Sequence, residues 1–369
     1  MNVRVDRIDL IHVRIPLHSP FKISSGVVSE KDAIIVAVYS EGLVGYGEAS
    51  PMAGSFYSKD SPETTWQCLR YEILPRVKLR HDLDRSRLDF ILDQVQGNSF
   101  AKAGIETAFW ELEAMRGAVP LWQLIGGTQS RIPSGLAVGI VSTVSELLQE
   151  IELRLAEGYK RVKIKIEPGW DLEPVKAVRG HFGNIPLMVD ANAAYRQVDI
   201  PLFEELDEYG LMMFGQPLGK DDLAGHAELQ SKVRTPVCLD ESAKDIAAVK
   251  DAIALGSCKV INVKIQRMGG LEKAKQVHDL CHEAGIAVWA GTMPELGIGS
   301  AQAIHLSSLP DFSYPTDVES SFRWFVDDII DPWIEVKDGW LTVPNETGYG
   351  FRVDEKRVQK YAVRSETFC

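Results

Sequence analysis

The sequence predicts an α/β fold, a modified (β/α) barrel of the TIM-like kind with an N-terminal α+β capping domain. Three observations predict it. The stretch Val162-Lys163-Ile164-Lys165-Ile166-Glu167 alternates strictly between apolar and charged residues, the period-two signature of a strand with one apolar face. Lys165, Asp190, Gly215, Asp240 and Lys264 then follow one another at intervals of 25, 25, 25 and 24 positions. Each sits in or at the end of a short apolar run, and the segments between the runs have helical spacing. A strand–helix repeat of this length is the unit of a barrel whose strand C-terminal ends carry the chemistry. Residues 1–125 lack the repeat and read as strands followed by helices, the order of an α+β domain.

In chain order, 1–16 alternates and reads as a strand. Residues 18–27, with Pro20, Phe21 and Gly26, read as a loop. Residues 33–39 are a β-branched strand, and 44–48 closes a small antiparallel sheet. A second loop, 49–60, carries Met52, Phe56 and Tyr57. Apolar residues on such a loop suit a lid that keeps water from a site, and they equally suit a loop packed on its own domain. Residues 64–79, 83–95 and 101–115 have helical spacing. The barrel, 126–320, opens with a strand at 132–141 and a helix at 144–157. Its later strands fall at 186–192, 211–217, 236–241 and 259–265. The seventh strand is 286–291, and the eighth is 312–317, short and interrupted by Pro315. After Ser320 the repeat stops. In 321–369, the stretches 333–343 and 348–353 read as strands returning to the capping domain.

At 369 residues the chain has room for two domains and a large core. Charged residues make up 25% and hydrophobic residues 45%, ordinary for a globular protein. The net charge of −12 argues against nucleic-acid and membrane-surface binding, but leaves the sign of a local site open. Cys68, Cys238, Cys258, Cys281 and Cys369 form no Cys-x-x-Cys pair and are odd in number. That argues against zinc and a disulfide framework, and for a reducing, cytoplasmic setting. No leader pattern and no membrane-length apolar run is visible. Oligomeric state stays open, homo-oligomers included.

Strand alternation places Lys163 with Lys165, Asp190 with Asn192, Met213 with Gly215, Cys238 with Asp240, and Asn262 with Lys264. If these faces point inward, Lys165 and Lys264 oppose each other across the barrel with Asp190 and Asp240 between them. Enclosure and a cationic neighbour both lower a lysine pKa, and an amine so tuned is a base near neutral pH. Removing a proton α to a carboxylate creates an enediolate, which a hard divalent cation on carboxylate oxygens neutralises. A solvated edge strand and two helix-capping aspartates would use the same residue types. Four of them at matching strand ends favour the site.

Over essentially its whole length the chain resembles the enolase superfamily, muconate-lactonizing branch, and within it the o-succinylbenzoate synthases and N-acylamino acid racemases. The likeness rests on Lys163-Ile164-Lys165 running into Glu167-Pro168-Gly169-Trp170-Asp171, on Val189-Asp190-Ala191-Asn192 and on Leu239-Asp240-Glu241-Ser242. It rests also on Asn262-Val263-Lys264 with Gly269-Gly270, and on 291–299. A Lys or His base working with Mg²⁺ is a general property of that superfamily. The resemblance implies that Lys165 is the base on one face and Lys264 the acid or base on the other. Lys163 tunes Lys165 and the substrate carboxylate, and Asp190 and Asp240 hold Mg²⁺ or Mn²⁺. It implies a small carboxylate substrate beneath capping loops 18–27 and 49–60, with Phe21, Met52, Tyr57, Met293 and Glu295 as substrate contacts. The implied reactions are the dehydration of menaquinone biosynthesis, a lyase step, and racemisation, an isomerase step.

The pattern departs from the family in Phe214-Gly215-Gln216-Pro217. Where relatives place a third metal-binding carboxylate, Gly215 offers no side-chain oxygen. Asn192 lies on the right face to substitute, as would a water. Smaller departures are Ala137 for serine, Leu296 for a small hydroxyl residue, Thr292 for glycine and Ser300 for arginine. Two readings follow: a metal-assisted enzyme with a weakened or remodelled site, or a diverged member that binds a small carboxylate or works without metal.

Overall fold

The structure, a computed structural model, describes residues 3–53, 58–78 and 83–369. Three antiparallel strands open the chain: β1 (Arg7–Ile23), β2 (Gly26–Ser40) and β3 (Leu43–Ala49). The segment 18–27, expected as a loop, is instead the tip of a long hairpin. Phe21 pairs with Val28, Lys22 with Val27 and Ile23 with Gly26, beyond a register irregularity between Pro16 and Phe21. Pro16 and Pro20 interrupt the alternation, and the ladder resumes past them through residues able to pair.

The helix Ser99–Gly117 packs on β3. Close approach is possible because Gly45 and Gly47 have no Cβ: one added at either would overlap the backbone carbonyl of Ala108 or Gly104. The helix expected at 64–79 consists of Pro62–Gln67, a π-helical stretch Cys68–Ile73 and Leu74–Lys78, and 83–95 shortens to Arg85–Asp93.

The expected first barrel strand is split. β4 (Arg131–Pro133) pairs antiparallel with a late strand, and only β5 (Leu136–Val138) enters the barrel sheet. That parallel sheet continues through β6 (Val162–Lys165), β7 (Leu187–Asp190), β8 (Phe214–Gly215), β9 (Val237–Leu239), β10 (Val260–Val263) and β11 (Ala287–Ala290), in sequence order throughout. The eighth position holds no regular strand. The segment 312–317 makes isolated bridges from Phe312 to Val288 and from Thr316 to Ser134. Gly135 N donates to Thr316 O (2.8 Å) and Asp317 N to Ala290 O (3.1 Å), so the irregular segment lies between β11 and β5. Pro315 has no N–H to give a ladder, which explains the loss of regularity.

Of the two stretches expected to return to the capping domain, 348–353 does so at its start: Gly348 N donates to Val119 O (3.1 Å), Leu121 N to Gly348 O (2.9 Å) and the Tyr349 hydroxyl to Thr107 O (2.6 Å), whereas 333–343 pairs with β4. β12 (Ile330–Asp331) pairs with β14 (Arg352–Val353), and β13 (Trp340–Thr342) pairs with β4. The return is completed by β15 (Ala362–Phe368), which lies against β1 and makes the N-terminal sheet β15-β1-β2-β3.

Two capping-domain glutamates are built into the barrel. Glu48 accepts from Leu296 N and Gly299 N (both 2.8 Å), at the start of the helix Gly297–Ser307. Glu106 accepts from Leu271 N (2.8 Å) and Glu272 N (3.0 Å), at the start of the helix Leu271–Ala284. Neither helix has a side-chain cap of its own, and first-turn amides need an acceptor. A side chain at Gly270 would collide with Glu106.

Candidate active site

The barrel interior is floored by Met188, Met213, Cys238, Val260 and Trp289, a buried apolar cluster. Above it stand the polar residues. Strand register aligns Lys165 with Asp190 and Asp190 with Gly215. Five of the expected side chains are enclosed: Lys163, Lys165, Asp190, Asp240 and Lys264 are each 3–7% exposed.

They form two clusters. In the first, Lys165 Nζ lies 2.6 Å from Asp190 Oδ2 and donates to Asn192 Oδ1 at 2.8 Å. Lys163 Nζ is 3.7 Å from the same Asp190 oxygen and bonds to Asp317, whose other oxygen takes Arg161. Burial lowers the Lys163 pKa and Lys165 lowers it further, while Asp317 opposes both. Burial would raise Asp317, but Lys163 and Arg161 bring it down to about 2. In the second cluster, Asp240 accepts from Lys264 (3.0 Å), Asn262 Nδ2 (3.0 Å) and Arg267. Burial works against its charge, but Arg267 and Lys264 outweigh burial and hold the carboxyl well below the usual range.

Asn192 joins the clusters, since its Nδ2 donates to Glu241 Oε1 at 3.0 Å. The other Glu241 oxygen is buried without a hydrogen-bond partner. Burial, then the charge of Asp240, raises the Glu241 pKa. Gln216 does not face the site. Its Oε1 accepts from Asp240 N (2.9 Å) and Ser242 N (3.0 Å), which fixes the turn that presents Asp240 and Glu241. Gln216 and Asn192 both have positive φ, 36° and 44°. Such backbone is costly for a bulky side chain, and the Gln216 hydrogen bonds offset that cost.

A cavity of about 40 Å³ is lined by Lys163, Lys165, Lys264, Asn192, Asp317 and Glu319, with Phe21, Ile23, Met52, Ala137, Thr292, Pro294 and Trp324 around them. Phe21 comes from the hairpin tip and stacks edge-on against Trp324, ring centres 4.8 Å apart. Met52 is buried in the wall. Met293 belongs to the capping-domain core. Glu295 accepts from Met293 N (3.0 Å), and burial raises its pKa against the pull of Lys31. Neither Met293 nor Glu295 lines this cavity; they are brought to the interface between capping domain and barrel. Tyr57 lies outside the described residues, as does 54–57 of the expected lid. A wider groove nearby, bordered by Glu241 and Arg267, carries Lys59, Lys102, Lys220, Lys244 and Lys273 together with Asp60, Asp221 and Asp245, so charges of both signs line it.

Arg161, Asp317, Glu319, Glu241 and Arg267 were not singled out by the sequence reading. Alternation carries part of the missing signal: Arg161 shares the face of Lys163 and Lys165, and Asp317 shares that of Glu319.

Among the described residues, no three His, Cys, Asp or Glu side chains converge to hold a metal on their own. A two-carboxylate set still fits Mg²⁺, which characteristically keeps several waters and takes one or two carboxylates. Asp190 and Asp240 would supply that pair on either side of Gly215, and the second Glu241 oxygen, next to Asp240 in the chain, is buried without a hydrogen-bond partner.

A barrel with paired lysines and aspartates at its strand ends, closed by an α+β cap, defines an enolase-type α-proton chemistry fold. Residues 7–126 match the mandelate racemase / muconate lactonizing enzyme N-terminal domain, and 146–357 the enolase C-terminal domain-like family. The chain therefore belongs to the mandelate racemase / muconate lactonizing enzyme family of the enolase superfamily. It is 41% identical to an o-succinylbenzoate synthase of Geobacillus kaustophilus, covering 100% of this chain and 98% of that one. It is 38% identical to an N-succinylamino acid racemase of Amycolatopsis sp., covering 94% and 95%. An enolase superfamily member from Listeria innocua superposes with a TM-score of 0.95 at 36% identity, covering 100% and 99%. The family is one of enzymes, and Mg²⁺ is its general cofactor.

Proposed function

We propose that the protein removes a proton α to a carboxylate of a small acid, as an o-succinylbenzoate synthase, an N-succinylamino acid racemase, or both. One observation carries the reading: Lys165 on β6 and Lys264 just after β10 line one cavity, four strands apart in the barrel sheet. Placed on opposite sides of a bound planar acid, one amine takes the α-proton and the other delivers one to the opposite face. Racemisation needs both lysines. Dehydration needs one base, and its second product is the water formed when the β-hydroxyl leaves.

Mg²⁺ held by Asp190 and Asp240 would supply positive charge for the enediolate oxygens. The rest of the chemistry belongs to the chain. Lys163, kept in place by Asp317, lines the same cavity as Lys165 and can meet the substrate carboxylate there. Asn192 fixes the Lys165 amine by accepting from it. Phe21, Met52 and Trp324 exclude water from the reacting carbon.

In this reading residues 1–125 form the cap, 126–320 the barrel and 321–369 the closing segment. No helix among the described residues is long and apolar enough to cross a membrane. The cysteines are all unpaired, four of them buried, which supports a reducing cytoplasmic setting.

The test is α-carbon deuterium exchange of N-succinylphenylalanine in D₂O with Mg²⁺, followed by NMR, together with formation of o-succinylbenzoate from its hydroxylated precursor. The native protein performs at least one of the two and Lys165→Ala performs neither. Turnover that survives Lys165→Ala removes the assignment.

A further inference from the structure

We propose that Glu319 is a specificity-determining residue that accepts a hydrogen bond from an N–H group of the substrate, making the site selective for amide- or amine-bearing carboxylates. The inference rests on the α-proton reading above and narrows its substrate class.

Glu319 ends Asp317-Val318-Glu319, in the irregular eighth position of the barrel. Asp317 and Glu319 share a face, and both line the cavity that holds the three lysines. Their hydrogen bonding differs. Both Asp317 oxygens are taken, one by Arg161 and one by Lys163. Glu319 Oε1 accepts from Ala137 N at 3.0 Å, but Oε2 is buried with no hydrogen-bond partner. The nearest cation, Arg323 Nε, stands 3.6 Å from Oε2, an ion-pair distance too long for a hydrogen bond. The Glu319 side chain is 0% exposed, so neither bulk water nor a ligand reaches Oε2 until the side chain turns toward the cavity that Glu319 lines.

A buried carboxylate oxygen without a donor is costly, and such groups in native proteins call for an explanation. The rest of the wall offers one. Lys163, Lys165 and Lys264 are donors suited to substrate carboxylates, whereas Glu319 is the opposite kind of group and suits a substrate donor. An N-succinylamino acid has an amide N–H beside its reacting carbon; o-succinylbenzoate and its precursor have none. Burial pushes Glu319 up to about 7 against the pull of Arg323, and an N–H donor would stabilise the ionised form.

The variant Glu319→Gln keeps an oxygen for Ala137 N and puts an NH₂ group where Oε2 was. Removing a negative charge from the wall favours anionic ligands in general, so a selective loss would run against that trend. For N-succinylphenylalanine the expected loss in kcat/KM is about 10–100-fold, mainly in KM, as for a charged hydrogen bond removed. Formation of o-succinylbenzoate should change by a clearly smaller factor, so that the ratio of the two kcat/KM values shifts about 10-fold or more toward dehydration. Calorimetry gives the same comparison without turnover: N-succinylphenylalanine binding weakens while o-succinylbenzoate binding holds or tightens. Equal effects on both ligands, or none on either, overturn the assignment. A native protein that turns over neither compound defeats the α-proton reading alone, and the binding ratio in native and Glu319→Gln protein still decides the role of Glu319.

Discussion

Lys165 and Asp190 are aligned partners across the parallel strands β6 and β7, with Nζ 2.6 Å from Oδ2. The amine expected to take the substrate proton thus rests on a carboxylate expected to hold the cation. A cation drawing Asp190 toward itself would weaken that ion pair and release the amine toward substrate.

The two lysines divide the reactions. Lys264→Ala should abolish racemisation, lowering kcat by about 10²–10⁴-fold, the scale of one general acid–base group. Dehydration with Lys165 as its base should fall by less than about tenfold. Optical rotation of a single-enantiomer N-succinylamino acid and absorbance of o-succinylbenzoate measure the two rates on the same samples. Equal losses would place Lys264 in the dehydration as well.

Restoring a carboxylate at 215 should tighten Mg²⁺ binding. A Cβ there would sit 3.1 Å from Val189 O and 3.3 Å from Asp190 Cα, tight contacts that small shifts relieve. Gly215→Glu should therefore fold and bind Mg²⁺ at least about 10–100-fold more tightly by calorimetry, since even outer groups carry that much affinity in metal sites. Unchanged affinity would mean that the ion does not lie between Asp190 and Asp240.

Glu111 should make stability depend on pH. Burial raises its pKa to about 8 from an ordinary 4.5. The folded state therefore holds its proton more tightly than the unfolded chain. The resulting stabilisation is full below about pH 4.5 and is lost as pH rises toward 8. Glu111→Gln, which can still accept from Tyr46 N, removes this term. Between pH 5 and 8 the Tm of the native protein should fall more than that of Glu111→Gln, measured by calorimetric melts. Parallel Tm curves would show that Glu111 does not titrate there.

The contact from Glu48 to the barrel should be costly to remove. Glu48→Ala leaves Leu296 N and Gly299 N without their acceptor and should cost about 1–3 kcal/mol in urea unfolding. A cost below about 0.5 kcal/mol would mean that water replaces the carboxylate.

Much of this molecule was legible in its sequence because a barrel repeats. The interval through Lys165, Asp190, Gly215, Asp240 and Lys264 located five strand ends, and alternation put the right side chains on the inner face. Isolated segments were harder to read. Pro20 and Gly26 made 18–27 look like a loop, although long-range pairing within the hairpin keeps it extended. Pro315 reduced the expected strand 312–317 to two bridges. β15 has no apolar alternation strong enough to mark it, and its place depends on the open edge of β1. Arg161, Asp317 and Glu319 carry charges that single-sequence patterns assign to solvent, and only closure of the barrel shows them enclosed.

The pairing of β15 with β1 also bears on synthesis. Thr367 reaches Asp9 across 358 positions of chain. While a ribosome makes the intervening residues, the outer edge of β1 is an unpaired template, the kind of edge that recruits strands from other molecules.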